Sequence, residues 1–322
     1  MKRHGNLYTR ICSMENLILA DELASKGKSK QKGVQLHRLK ANENLQRLHE
    51  MLVNKTYRTS EYGTFKIYEP KERLVYRLPY YPDRIAHHAI MNILEPLFTA
   101  VYTADTYSSL KGRGNHKAAN AIKNALKDVD GTTYCLKLDI KKFYPNVDHS
   151  ILKMMLARKI KDYDLLWLLY EIIDSADGLP IGNYLSQYLA NFYLAYFDHW
   201  LKEVKKVKYY FRYADDLVIL SGNKSELHGL CHDINDYLLK NLKLELKGNY
   251  QVFPVAARGI DVLGYVFFHT HILLRKRIKQ NFARMLVRRK NNASVASYVG
   301  WAKHCNSHNL LTKLLITNNV QL

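Results

Sequence analysis

The stretch Phe211-Arg212-Tyr213-Ala214-Asp215-Asp216-Leu217-Val218-Ile219-Leu220 sets two aspartates between two apolar runs. Lys208 to Arg212 and Leu217 to Leu220 read as strands, joined by a tight hairpin turn that holds both acids. Asp is common in turns because its carboxylate bonds nearby backbone amides, so this pair alone is ordinary. A third acid changes the reading. In Leu136-Lys137-Leu138-Asp139-Ile140 the apolar alternation of a strand beginning near Thr133 runs up to Asp139 and places it at the strand's edge. Were the three to converge, each like-charged pair at 4 Å would repel by about 4 kcal/mol at an effective dielectric near 20. Such a cluster needs a divalent cation or a raised pKa. Oxygen-only ligands suit Mg²⁺, which keeps waters and binds through a few carboxylates plus substrate phosphates.

Working outward, helices and strands mix without βαβ regularity, which predicts an α+β layered fold. Lys26-Gly-Lys-Ser-Lys-Gln-Lys-Gly33 reads as a loop and Asn42 to Leu52 as a helix. Tyr62 to Leu78 alternates around Glu69-Pro70-Lys71, a hairpin signal. Pro82-Asp83 precedes an amphipathic helix, capped by Asp83 and ending near Pro96. Asp148 or Ser150 caps a helix through Ile160. Gly182 opens a long helix with Leu185, Leu189, Phe192 and Tyr196 on its buried stripe. Ser225 to Leu239 is a further helix and Ile260 to Leu274 a further hairpin. His87-His88 falls on helix surface or core, since neighbouring helix positions face different ways. Cys135 reads as a small buried apolar residue.

The 322 residues are 47% apolar, enough for a substantial core in two or three units, and exclude a disordered tail. Lys and Arg outnumber Asp and Glu by 49 to 29, a formal charge of +20 that favours a polyanionic partner. His271 to Leu322 carries ten basic residues and no acid, with Tyr298, Trp301, His304 and His308 interleaved. Those rings either stack on nucleic acid or fill the core of an amphipathic helix. Four cysteines lack any CxxC pair, so neither a zinc site nor a disulfide frame is visible. No apolar run approaches a membrane span, and the expectation is a cytoplasmic protein with no membrane partner.

Tyr213-Ala214-Asp215-Asp216 between apolar strands resembles the YxDD turn of reverse transcriptases. Asp139-Ile-Lys-Lys-Phe-Tyr144, 76 residues before Asp215, is similar to their first catalytic motif. Leu179-Pro-Ile-Gly182-Asn-Tyr-Leu-Ser186-Gln187 between them resembles their substrate-pocket motif. The three arrive in the family's order, and the similarity runs from about Tyr62 to the C-terminus. It implies a right-hand polymerase fold of fingers, palm and thumb, with an antiparallel palm sheet and a helical thumb. Residues 1–130 would form an N-terminal extension and fingers, 131–270 the palm (finger elements around 155–180), and 271–322 the thumb. It also implies RNA-directed DNA polymerisation with two Mg²⁺ ions per site. Asp139, Asp215 and Asp216 would be catalytic and, with the Ile140 backbone, metal-binding. Lys66, Arg73, Tyr144, Ile181, Gly182, Gln187 and Lys247 would meet the dNTP, Tyr144 as a steric gate and Lys247 as proton donor. Tyr213, the Leu263-Gly264 primer grip, Arg275, Lys276, Arg277, Arg288, Arg289 and Trp301 would contact primer and template.

The pocket departs from the common QGxxxSP pattern, with Ile181 for Gln and Gln187 for Pro. That form is similar to the pocket of reverse transcriptases from diversity-generating retroelements, as are SSLKGRGNHKA, VFPVAARGIDVLGY and SYVGWAKHCNSHNLL. The resemblance implies error-prone cDNA synthesis at template adenines from a template-repeat RNA, for targeted gene diversification. The implied partners are that RNA, its cDNA, dNTPs and a small basic accessory protein forming a pentamer. Ile181 offers shape where Gln offers a hydrogen bond, and one lost bond relaxes discrimination by about 0.5–1.5 kcal/mol, roughly two- to tenfold. The alternative is that Ile181 merely packs ahead of the helix. With no room after Leu322 for a maturase, endonuclease or RNase H extension, an intron-encoded or retroviral protein is not expected. The competing functions are a retron or defence-type reverse transcriptase and a non-catalytic RNA-binding scaffold on a polymerase fold.

Overall fold

The computed structural model describes residues 3–68, 72–288 and 292–317. The hairpin turn at Glu69-Pro70-Lys71, Arg289 and Lys290 lie outside the described residues.

Helices α1 (Tyr8–Cys12), α2 (Met14–Ser25), α3 (Lys32–Arg38) and α4 (Ala41–Val53) open the chain. α4 matches its expectation because Leu45, Leu48 and Leu52 repeat on one buried face. α2 hides its period: Leu17, Ala20 and Ala24 are buried while Ile18, Leu19 and Leu23 stay exposed. The lysine-rich loop is shorter than expected, since α3 already begins at Lys32. Next come β1 (Gly63–Ile67) and β2 (Arg73–Arg77), antiparallel in the expected hairpin. α5 (Ile85–Thr99) corrects two expectations. Asp83 does not cap it; the carboxylate is fully buried and Oδ1 accepts from Tyr57 Oη and the Ser60 amide. Pro96 lies inside the last turn rather than ending the helix.

α6 (Asn115–Ala125) and β3 (Tyr134–Asp139) follow, then α7 (His149–Lys159), α8 (Tyr163–Ile173) and α9 (Tyr184–His199). Asp148, not Ser150, caps α7, accepting from the Ile151 amide at 2.9 Å. α9 buries Leu185, Leu189 and Phe192 as expected, leaves Tyr196 half-buried, and also buries Tyr188, Tyr193 and Phe197, so it runs through the interior. β4 (Tyr209–Tyr213) and β5 (Asp216–Ser221) make the hairpin. Its loop is only Ala214-Asp215. Asp216 therefore opens a strand instead of sitting in the turn, a correction that comes from the shortness of the connection. α10 (Lys224–Leu242), β6 (Gln251–Pro254), the single turn α11 (Val255–Arg258), β7 (Ile260–Val262), β8 (Tyr265–Phe267) and β9 (Ile272–Leu274) come next. The last three form one antiparallel meander where two strands were expected. α12 (Lys276–Arg288), α13 (Asn292–Ala302) and α14 (His308–Thr317) close the chain.

The chain divides into two units. One takes residues up to Ala104, Ile140–Trp200 and Asp236–Glu245; the other takes Asp105–Asp139, Leu201–Asn235 and residues from Leu246 onward. The second unit holds the four-stranded antiparallel sheet β4-β5-β3-β6 and the meander. Its core joins Cys135, Phe211, Val218 and Phe253 to Ile122 of α6 and Phe267 of β8. The acid-free tail folds on its own apolar stripe, with Phe282, Leu286, Val295, Val299 and Leu315 buried together. Tyr298 stacks on Phe282 at 4.9 Å, and Trp301 on Tyr265 at 5.5 Å, so both rings serve packing. The architecture is α+β, as expected. Among the described residues no helix is long and apolar enough to cross a membrane.

Asp162 ties the first unit's N-terminal segment to α8. Its Oδ2 accepts from the Leu7 and Tyr8 amides at 2.6 and 2.9 Å, and Oδ1 from the Leu165 amide at 3.3 Å. Burial pushes this carboxyl up, but the amide bonds outweigh it and hold it below the usual carboxylate range. A depressed folded pKa contributes stability that is complete above the unfolded value, about 3.9, and is lost as pH falls through the folded one. Asp162→Asn should therefore cost about 1–2 kcal/mol at neutral pH and progressively less as the solution is acidified. Urea unfolding near pH 7 and near pH 3 checks this; an equal deficit at both would assign the effect to shape rather than charge.

Candidate active site

Antiparallel pairing of β3 with β5 sets Asp139 directly opposite Asp216. Residues so paired share a face, with Cβ atoms about 4.5–5.5 Å apart. Asp215 joins them from the two-residue loop, whose first member, Ala214, has φ +55°. Such left-handed backbone is what a two-residue hairpin loop of the right hand requires. All three carboxylates are half-buried. Burial, then Asp216 and Asp139, push the Asp215 carboxyl up, with Lys247 opposing. Asp216 is also raised, by burial and by Asp139, against the pull of Lys137, Lys247 and Arg275. Lys247 Nζ forms an ion pair with Asp139 Oδ2, and its amide donates to the Asp139 carbonyl at 2.9 Å. The other oxygen, Asp139 Oδ1, is buried and has no hydrogen-bond partner.

This donor set fits Mg²⁺ on two grounds. A buried carboxylate oxygen without a partner is costly unless a cation or donor meets it. Mg²⁺ needs only one or two carboxylates and fills its shell with water and phosphate. Among the described residues no three His, Cys, Asp or Glu side chains form a ready metal cage.

The same unit places a cationic group beside Asp216. Lys137 Nζ donates to the Asp261 carbonyl at 2.6 Å, and Arg275 pairs with the Asp261 carboxylate. The Arg275 amide donates to the Gly264 carbonyl at 2.9 Å. Leu263 and Gly264 form the β7–β8 turn, both with positive φ; a Cβ on Gly264 would lie 2.2 Å from the Trp301 ring. Trp301 thus backs the Leu263-Gly264 turn. Lys276, Arg277 and Arg288 are exposed on α12, and Arg289 lies outside the described residues. Tyr213 ends β4, half-buried and opposite Asp216.

The remaining expected residues belong to the first unit. Tyr76 of β2 donates its amide to the Ile181 carbonyl at 2.8 Å. Gly182, at φ +117°, lies so close that a Cβ would stand 2.4 Å from the Tyr76 carbonyl oxygen. The pocket motif is thereby clipped to the hairpin that carries Lys66 and Arg73. Lys66 pairs with Glu72 at 2.6 Å, and Arg73 is exposed. Tyr144 is half-buried, its ring edge-on to Phe143 and its carbonyl accepting from the Leu179 amide at 2.8 Å. Ile140 is buried, and Gln187 is half-buried in the first turn of α9. Two features were not foreseen: the Tyr76–Ile181 clip, which has no sequence signature, and Arg212. Arg212 is fully buried within β4 and donates to the Ala214 carbonyl at 3.2 Å. Its sign in the sequence is a charged residue inside an apolar strand.

Gly182→Ala should force β2 from the pocket loop, because neither backbone can yield cheaply at 2.4 Å. The expected cost is about 1–3 kcal/mol. Hydrogen exchange at the Tyr76 amide should quicken, whereas an unchanged rate would show that the loop accommodates the methyl.

Comparison with known proteins follows the same residues. Residues 69–267 match the family model described as reverse transcriptase (RNA-dependent DNA polymerase). Protein YkfC of Escherichia coli (strain K12) is 25% identical over 269 residues, covering 69% of both chains. Group II intron-encoded protein LtrA of Lactococcus lactis subsp. cremoris is 27% identical over 139 residues, 40% of this chain and 23% of that protein. The putative COX1/OXI3 intron 2 protein of Saccharomyces cerevisiae is 20% identical over 250 residues, 57% of this chain and 29% of its own length. The chain thus spans about two thirds of YkfC and less than a third of the two intron proteins. The family's fingers, palm and thumb architecture agrees with the mixed helices and antiparallel sheets seen here. The match covers more than half of the sequence and includes both aspartate motifs, and the chain belongs to the reverse transcriptase family of RNA-dependent DNA polymerases.

Proposed function

We propose that this chain copies a template-repeat RNA into cDNA by two-metal nucleotidyl transfer and misincorporates opposite template adenines, diversifying a target gene. The observation that carries the chemistry is the meeting of Asp139, Asp215 and Asp216 at one end of a sheet, with Asp139 Oδ1 buried and unpartnered. Residues 1–130 are assigned to the N-terminal extension and fingers, 131–270 to the palm and 271–322 to the thumb. Asp139 and Asp215, with the Ile140 backbone, would hold two Mg²⁺ ions, with Asp216 supporting the pair. Bound there, the ions would supply Lewis-acid activation of a primer 3′-hydroxyl and charge stabilisation for the departing pyrophosphate.

The chain's own residues do the rest. Lys247 neutralises Asp139 before substrate arrives and donates a proton to the leaving group. Lys66 and Arg73 grip the triphosphate. Tyr144 excludes a 2′-hydroxyl by contact, and Gly182 and Gln187 line the pocket with it. Leu263-Gly264, backed by Trp301, seats the primer, with Tyr213 beside it. Arg275, Lys276, Arg277, Arg288 and Arg289 meet the phosphate backbone. A small basic accessory protein, acting as a pentamer, is the partner this reading calls for.

Primer extension on an RNA template with dNTPs and Mg²⁺ tests the chemistry. Asp215→Asn should lower the rate at least about a thousandfold, since metal-borne charge stabilisation is worth several kcal/mol at about 1.4 kcal/mol per decade. Full activity in that variant would overturn the assignment, and no extension by the wild type would favour a scaffold.

The adenine-specific reading rests on Ile181 and Gln187 in the pocket motif. Ile181→Gln should leave polymerisation active and reduce errors at template adenines roughly two- to tenfold, read by sequencing cDNA from both variants. A second reading, a polymerase serving an intron, draws support from the intron proteins among the relatives. It requires equal adenine error in both variants.

A further inference from the structure

Arg212 is the fourth residue of β4, YYFRY, and its side chain is fully buried although charged. A buried guanidinium is tolerated only where its hydrogen bonds are met, so what it touches is structurally specified. Nη1 donates to the Ala214 carbonyl at 3.2 Å, and Nη2 to Thr106 Oγ1 at 3.3 Å. The backbone repeats the connection. The Arg212 amide donates to the Asp105 carbonyl at 2.9 Å, the Tyr107 amide to the Arg212 carbonyl at 3.1 Å, and Thr106 pairs with Arg212 as a parallel bridge. Thr106 is itself held, because Arg113 Nη1 donates to its carbonyl at 2.9 Å. All of these residues lie in one unit.

Ala214 sits at φ +55°, a conformation an L-residue adopts reluctantly, and it directly precedes Asp215. We infer that Arg212 is a positioning residue whose guanidinium, anchored on Thr106, fixes the left-handed turn that aims Asp215. The inference rests on the polymerase reading of Asp139 and Asp215 for its functional consequence, though not for the turn itself. A fork of fixed geometry serves two acceptors at once. A lysine ammonium at the end of a flexible stem does not reproduce that span.

The test uses Arg212→Lys and Thr106→Val in the full chain. Hydrogen exchange at Tyr213 to Asp216 should quicken about tenfold in both, with rates in the thumb helices unchanged. The Mg²⁺ concentration for half-maximal primer extension should rise by a similar factor, while RNA binding stays at the wild-type level. The double variant should be no worse than Arg212→Lys, because the Thr106 hydroxyl reaches the turn through the Arg212 guanidinium. Should Arg212→Lys fold poorly, Thr106→Val alone carries the test, since it removes only the anchor hydroxyl. Uniformly faster exchange with an unchanged Mg²⁺ requirement would reduce Arg212 to a general structural role and overturn the inference. Wild-type exchange at the turn would overturn it as well. A wild-type chain that extends no primer would defeat the polymerase reading instead, and the exchange data would still judge the turn.

Discussion

Mutual repulsion among three carboxylates is the constraint around which the second unit is arranged. Strand pairing forces Asp139 against Asp216, and a two-residue loop adds Asp215. Nothing in an apolar sheet would hold acids there without compensation. The chain supplies part of it: Lys247 lies on Asp139, while Lys137 and Arg275 face Asp216. Burial nonetheless leaves the Asp215 and Asp216 carboxyls raised, and one oxygen of Asp139 has no partner. The compensation by the chain's own cations is therefore incomplete.

The cations around the acids also show how one residue serves two demands. Asp261 is not part of the carboxylate cluster. It collects Arg275 through its side chain and Lys137 through its carbonyl, and so fixes both charges near Asp216. Arg275 in turn binds the Gly264 carbonyl, which joins the meander's turn to the same group. The turn can lie flat against Trp301 only because Gly264 lacks a side chain.

How much of this was legible follows from range. The acids and their strands were, because alternation and a short loop are local signals. Even there the loop proved two residues shorter than the sequence suggests, which moved Tyr213 into β4 and Asp216 into β5. α4 was legible by its leucines, and α2 was not, because its exposed Ile18, Leu19 and Leu23 blur the period. Asp83 looks like a cap and is instead a buried acceptor for Tyr57, 26 residues away in sequence. No local rule distinguishes those two fates of an aspartate before helix-forming residues. By sequence alone the interleaved aromatics of the tail suit either packing or stacking. The stacking of Tyr298 on Phe282 and of Trp301 on Tyr265 decides for packing of those two rings, while Lys276, Arg277, Lys279, Arg284 and Arg288 of α12 stay exposed.

Position 181 separates what the main chain holds from what the side chain is free to vary. Its carbonyl accepts the Tyr76 amide, and the next residue must be glycine to let the two backbones meet. Both requirements are met by main chain alone. The side chain at 181 is therefore not what holds the loop to the hairpin, and an exchange of Gln for Ile leaves the clip intact. A hydrogen-bonding side chain exchanged for an apolar one alters only what that side chain can grip, at a cost of about 1 kcal/mol. The side chain at 181 can be exchanged without loosening the loop from the hairpin, because the backbone clip and that side chain share a residue but no atoms.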